Sequence, residues 1–208
     1  MRRVPEVTGD RGCADGDLPR SERPIMKTAD CDILILPGYA GSEAEHWQSR
    51  WAGRLRTARV VEQADWHRPD PESWRARVVE AVEAATRPVI LIAHSLGVVA
   101  AVEAAPRFPA GVVRGALLVA FPDIEAGAAL PDSVRAFAPV PRDPLPFPSL
   151  LVASRTDPHC SYERAEDYAY AWGSALVDAG ESGHINVASG HGPWPEGLMR
   201  LAGFLKGL

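Results

Sequence analysis

A chain of 208 residues, 46% hydrophobic and 24% charged, has the composition of one soluble globular domain, large enough to bury most of its apolar surface. A net charge of −5 leaves no basic patch, which argues against nucleic acid or an anionic membrane as a partner. No apolar run approaches the roughly 20 residues of a membrane span.

Residues 1–29 are rich in Arg, Asp, Gly and Pro, show almost no apolar periodicity, and are expected to form a disordered or loosely attached extension. The extension has no apolar core of a secretory signal, and its acidic residues argue against a transit peptide. Met26 stands just before the first strand and offers an alternative translation start. A native peptide spanning Arg20 to Lys27 would exclude it. Cys13, Cys31 and Cys160 are scattered, odd in number and without metal spacing, so a reducing, cytoplasmic setting and no metal are expected.

The domain proper is expected over 30–208. Cys31–Leu36 reads as a buried strand, ended by Pro37-Gly38-Tyr39-Ala40-Gly41-Ser42, a loop with several backbone N–H groups on a glycine-flanked chain. Trp47, Trp51 and Leu55 at i, i+4 and i+8 predict a helix from Glu43 to about Arg56. Ala58–Glu62 is a short strand, and Pro71–Thr86 a helix with proline in its first turn. The apolar, β-branched run Pro88–His94 predicts a strand buried on both faces. It breaks at Ala93-His94-Ser95-Leu96-Gly97 and continues as an Ala/Val-rich helix closing near Pro106.

Gly115–Ala120 is a fourth strand. The proline-loaded stretch Phe121–Pro148 that follows reads as irregular, and a loop this long in a compact domain is expected to be a functional cover. Ser149–Ser154 is a fifth strand, Ser161–Trp172 a helix, Ser174–Asp178 a sixth strand, and Pro193–Leu208 a final amphipathic helix. Strands alternating with helices predict an α/β fold, a three-layer α/β/α sandwich with mostly parallel strands in the order 2-1-3-4-5-6. The loop at Gly38 and the turn at Ser95 then share the switch point, where ligands bind outside the carboxyl ends of the strands.

Strand, small-x-Ser-x-Gly, helix is the pattern of a nucleophile elbow, here with Ala93 in place of the first glycine. A serine hydroxyl needs a base to take its proton, and the base needs a carboxylate to fix its tautomer. In α/β-hydrolases these follow in the order Ser, Asp or Glu, His. Asp157, just past the fifth strand, and His184, just past the sixth, supply that order, so Ser95, Asp157 and His184 are the expected catalytic residues. Asp123 is the alternative acid and His191 the competing base, while His94 is too close to Ser95 along the turn to reach its hydroxyl. The backbone N–H groups of Tyr39 and Leu96 are the expected oxyanion hole. Gly38, His94 and Trp194 are candidate pocket residues, with Trp66 a further wall. Trp47, Trp51, Trp74 and Trp172 fall at helical spacing and belong to the core.

Several motifs match in order: Leu36-Pro37-Gly38-Tyr39-Ala40-Gly41-Ser42, His46-Trp47-Gln48, Ala93-His94-Ser95-Leu96-Gly97, Ser154-Arg155-Thr156-Asp157-Pro158, Gly183-His184-Ile185-Asn186 and Trp194-Pro195-Glu196-Gly197. Together they resemble the small α/β-hydrolases of the YdeN/retinoblastoma-binding-protein-9 family, from about Asp32 to the C-terminus. The resemblance implies a compact hydrolase with no large cap domain, with Ser95, Asp157 and His184 as its triad. Members are serine hydrolases or esterases, and some vertebrate relatives bind partner proteins. The expectation is therefore a cofactor-free serine hydrolase acting on a small ester, thioester or activated amide through an acyl-enzyme. The alternative is a protein-binding module of the same fold with vestigial catalysis.

Overall fold

The central strands are apolar on both faces, which forces a layer of helices onto each side of the sheet. The computed structural model describes residues 25–126 and 130–208. Its six strands are β1 (Asp32–Leu36), β2 (Ala58–Val60), β3 (Val89–His94), β4 (Val113–Val119), β5 (Ser149–Ala153) and β6 (Ala175–Asp178). Every neighbouring pair is parallel, in the order β2-β1-β3-β4-β5-β6. The helices are α1 (Trp47–Arg54), α2 (Pro71–Glu83), α3 (Leu96–Ala104), α4 (Asp132–Arg135), α5 (Tyr162–Trp172) and α6 (Pro195–Lys206). The expected sandwich and strand order are both present.

Period-two alternation divides the core. Leu34, Leu36, Leu91 and Leu118 meet α2, α3 and α5, whereas Ile33, Ile35, Ile92 and Leu117 meet the Trp47 and Trp51 face of α1 and the Leu201 and Leu205 face of α6. Among the described residues no helix is long and apolar enough to cross a membrane.

Several element boundaries differ from expectation by a few residues, and in three helices a local hydrogen bond diverts the backbone. The first helix starts at Trp47 rather than Glu43. His46 donates its N–H to Glu43 O at 2.9 Å, then caps the helix by accepting the Gln48 N–H on Nδ1 at 3.2 Å. The second stops at Glu83, because the Thr86 and Arg87 N–H groups turn to the Asp32 carboxylate at 3.0 and 3.2 Å. The fifth begins after Ser161, which is its cap rather than its first residue and accepts the Arg164 N–H at 3.2 Å.

The described part of the proline-rich stretch belongs to the core rather than forming an irregular cover. Apart from residues 127–129, which are not described, it carries the short α4 and sinks Phe121, Ile124, Val134, Phe137 and Val140 into the core. Phe137 packs edge-on to Trp74, Phe121 lies against Tyr168, and Trp172 donates its indole N–H to Pro141 O at 2.8 Å. Its apolar residues have no helical or strand period, so nothing in the local sequence marks their burial. Of the expected loose extension, residues 1–24 lie outside the described residues. Thr28–Asp30 form a 3-10 turn tied to the domain by Thr57 Oγ1, which donates to Thr28 O at 2.7 Å.

Candidate active site

Ser95 sits between β3 and α3 with φ 53° and ψ −128°, a conformation rare and costly for a residue with a side chain. The turn is pinned from both sides. The Ser95 N–H donates to Val119 O on β4 at 3.0 Å, and Ser95 O accepts the Val98 N–H at 2.9 Å. The loop after β1 passes so close that only glycine fits at two points. A Cβ on Gly97 would lie 2.3 Å from Leu36 O, and one on Gly38 would lie 2.7 Å from Ser95 Cβ. Gly38 and Tyr39 are thereby held against the serine.

Asp157 and His184 come from the ends of β5 and β6 and meet Ser95 at the same rim. His184 Nε2 is 2.9 Å from Ser95 Oγ, and its Nδ1 is 2.9 Å from each Asp157 oxygen. A carboxylate only accepts, so Nδ1 carries the proton and donates, leaving the Nε2 lone pair for the serine hydroxyl. The Asp157 side chain is 3% exposed and also accepts the His159 N–H at 2.9 Å.

To reach Ser95 the His184 loop must fold back over the carboxyl ends of β4 and β5. On one side the Ser182 N–H donates to Ser154 Oγ at 2.9 Å and the Gly183 N–H to Thr156 Oγ1 at 3.1 Å. On the other, the Trp47 indole donates to Ile185 O at 2.9 Å, and His94 Nε2 lies 2.9 Å from His184 O. Three more imidazoles complete a row: His46 against His94 at 4.9 Å, His94 against His184 at 4.9 Å, and His159 against His184 at 4.5 Å between centroids. Burial, reinforced by the neighbouring His184, drives His46 down to about 4 and lowers His159, while burial puts His94 well below the ordinary histidine range. The neighbours of His184 are therefore neutral.

The rival groups are engaged elsewhere. Asp123 accepts the Glu125 and Ala126 N–H groups and pairs with Arg164 at 2.9 Å. His191 Nδ1 lies 3.2 Å from Ser189 Oγ, with its ring beside Trp194. Among the described residues, the backbone N–H groups of Tyr39 and Leu96 have no hydrogen-bond partner inside the protein.

Gly38 and His94 line a cavity of about 260 Å³ together with Tyr39, Glu43, Ser95 and His184. Trp194, expected in its wall, is instead 5% exposed and stacks on Trp51 and tilts against Trp47 beneath α6. A helix-leading indole beside α1 completes the core more readily than it reaches a cleft. A second cavity of about 370 Å³ shares Ala40, Gly41 and Glu43 with the first and is walled by Trp66.

The sequence alone does not mark Gln48 as functional. It is fully buried, donates to Leu36 O at 3.1 Å and Ile92 O at 3.3 Å, and accepts the Ser42 hydroxyl at 2.8 Å. It stitches the ends of β1 and β3 to the Gly38 loop. Its signal was a polar residue on the tryptophan face of a helix.

Residues 33–203 match the model of a family described as serine hydrolase. A YdeN-like hydrolase from Pectobacterium atrosepticum is 36% identical with a TM-score of 0.76, over 86% of this chain and 92% of that one. The ydeN gene product of B. subtilis is 20% identical with a TM-score of 0.68, over 84% and 98%. The RedJ thioesterase of the prodiginine pathway in Streptomyces coelicolor, at 17% identity and a TM-score of 0.61 over 90% and 100%, shares the fold. No curated protein matches the chain.

Proposed function

Because the chain belongs to the serine hydrolase family, we propose that it is a carboxylesterase-type hydrolase of small acyl esters, thioesters or activated amides, acting through an acyl-enzyme on Ser95. The observation that carries this reading is the unbroken relay from Ser95 Oγ through His184 to Asp157, with 2.9 Å at each step. Ser95 Oγ attacks the acyl carbonyl while His184 Nε2 takes its proton. Asp157 stabilises the imidazolium without accepting the proton. The Tyr39 and Leu96 N–H groups receive the developing oxyanion, which fits their lack of partners in the free protein. His184 then returns the proton to the leaving oxygen, sulfur or nitrogen. In the second half water gives a proton to His184 as its oxygen attacks the acyl carbon, and the Ser95 Oγ–acyl bond then breaks as His184 passes that proton to Oγ, releasing the acid.

The cavity of about 260 Å³ at Ser95 lies at the small end for ligand pockets and supports a small acyl group. The adjoining space toward Trp66 gives room for a substituent beyond Gly41. The test is a fluorophosphonate probe together with p-nitrophenyl esters and aminoacyl amides of increasing acyl length. Wild type is labelled and turns over the short esters, and Ser95→Ala does neither. Equal labelling of the two proteins would overturn the assignment.

A further inference from the structure

We propose that His94 is a positioning residue for catalysis: as a neutral imidazole protonated on Nε2, it clamps the main chain of His184 and thereby sets the distance between base and nucleophile. The inference rests on the reading of His184 as the base.

His184 and Ser95 leave strands that are three positions apart in the sheet, roughly 14 Å at the usual strand spacing. The loop after β6 must close that gap. Its anchors at Ser182 and Gly183 hold it to the end of β5, on the far side from the serine. The contact between His94 Nε2 and His184 O, at 2.9 Å, comes from the residue directly before the nucleophile. The strained turn that raises the hydroxyl therefore also carries the group that holds the base, and the two move as one piece.

The tautomer follows from the acceptor. A carbonyl oxygen has no proton to give, so Nε2 of His94 must donate. The ring is 5% exposed and enclosed by His46, Trp47 and His184, with no carboxylate against it among these neighbours. A second charge beside an imidazolium at 184 would oppose the reaction, so a clamp in this place has to donate while staying neutral. Histidine does both, and the amide of glutamine can do the same with its Nε2 at nearly the same place. Asparagine is one methylene too short.

The experiment pairs His94→Gln with His94→Asn, two neutral amides that differ in reach. His94→Gln keeps kcat and the rate of fluorophosphonate labelling within about threefold of wild type, while His94→Asn loses on the order of 10- to 100-fold in both. Equal rates in the two variants, whether high or low, overturn the clamp. In unmutated protein, ¹⁵N NMR gives a readout independent of variant folding: His94 appears as the neutral Nε2–H tautomer, and an Nδ1–H or doubly protonated ring overturns the proposal. Absence of labelling in wild type would instead fault the hydrolase reading itself.

Discussion

At Asp157 the decisive property is that a carboxylate cannot donate. Replaced by asparagine, it would turn an N–H toward His184 or leave the ring free to flip, and Nε2 would lose the lone pair that faces Ser95. Asp157→Asn is therefore expected to lower kcat by about 10⁴-fold at unchanged fold, measured by ester hydrolysis alongside circular dichroism. Retention of more than a tenth of the activity would mean that another group orients the base. Gly38 makes a steric counterpart. An added methyl would stand 2.7 Å from Ser95 Cβ and 3.2 Å from its Oγ, so either the loop or the hydroxyl must shift. Displacements of about 1 Å cost about 100-fold in rate. Gly38→Ala is expected to show that loss together with a lowered melting temperature, and full activity would show that the loop relaxes freely.

Among the elements, α1 governs how β1 and β3 present their ends. Gln48 donates to Leu36 O and Ile92 O at once, and both acceptors lie in fully buried surroundings. Both carbonyls are already paired in the β1–β3 ladder, so Gln48→Leu would remove a second hydrogen bond from each and the acceptor of the Ser42 hydroxyl, and urea unfolding should show a loss of about 1–3 kcal/mol. An unchanged midpoint would show that other donors take over. The central strands and their order were legible because buried parallel strands announce themselves by continuous apolar runs; Ser95 directly follows one, while Asp157 and His184 lie four and six residues past the ends of β5 and β6. Gln48, Trp194 and the proline-rich stretch were not legible in the same way. Their roles depend on which distant surface each meets: Trp194 finds Trp47 and Trp51, and Phe137 finds Trp74. Neither pairing leaves a period in the local sequence.

Across the whole molecule, the buried imidazoles of His46 and His94 and the half-buried one of His159 make folding sensitive to acid. His46, His94 and His159 all have lowered affinities for protons in the folded state, whereas an unfolded histidine titrates near 6.5. As pH falls below about 6.5 the unfolded chain binds protons that the native state refuses, so stability drops through the window down to about 4, where His46 itself titrates. Glu103 works in the opposite sense. Burial, partly offset by Arg75, raises its carboxyl to about 7, so its contribution is complete below the unfolded value of about 4.5 and is lost as pH rises through 7. Two variants separate the trends. His46→Asn keeps an acceptor for the Gln48 N–H but removes a titrating ring, and should flatten the fall in melting temperature between pH 6.5 and 4.5. Glu103→Gln should raise the melting temperature at pH 8 and lose that advantage by pH 5. If His46→Asn follows the wild-type slope throughout, the acid sensitivity belongs to other groups, and the buried row does not set it.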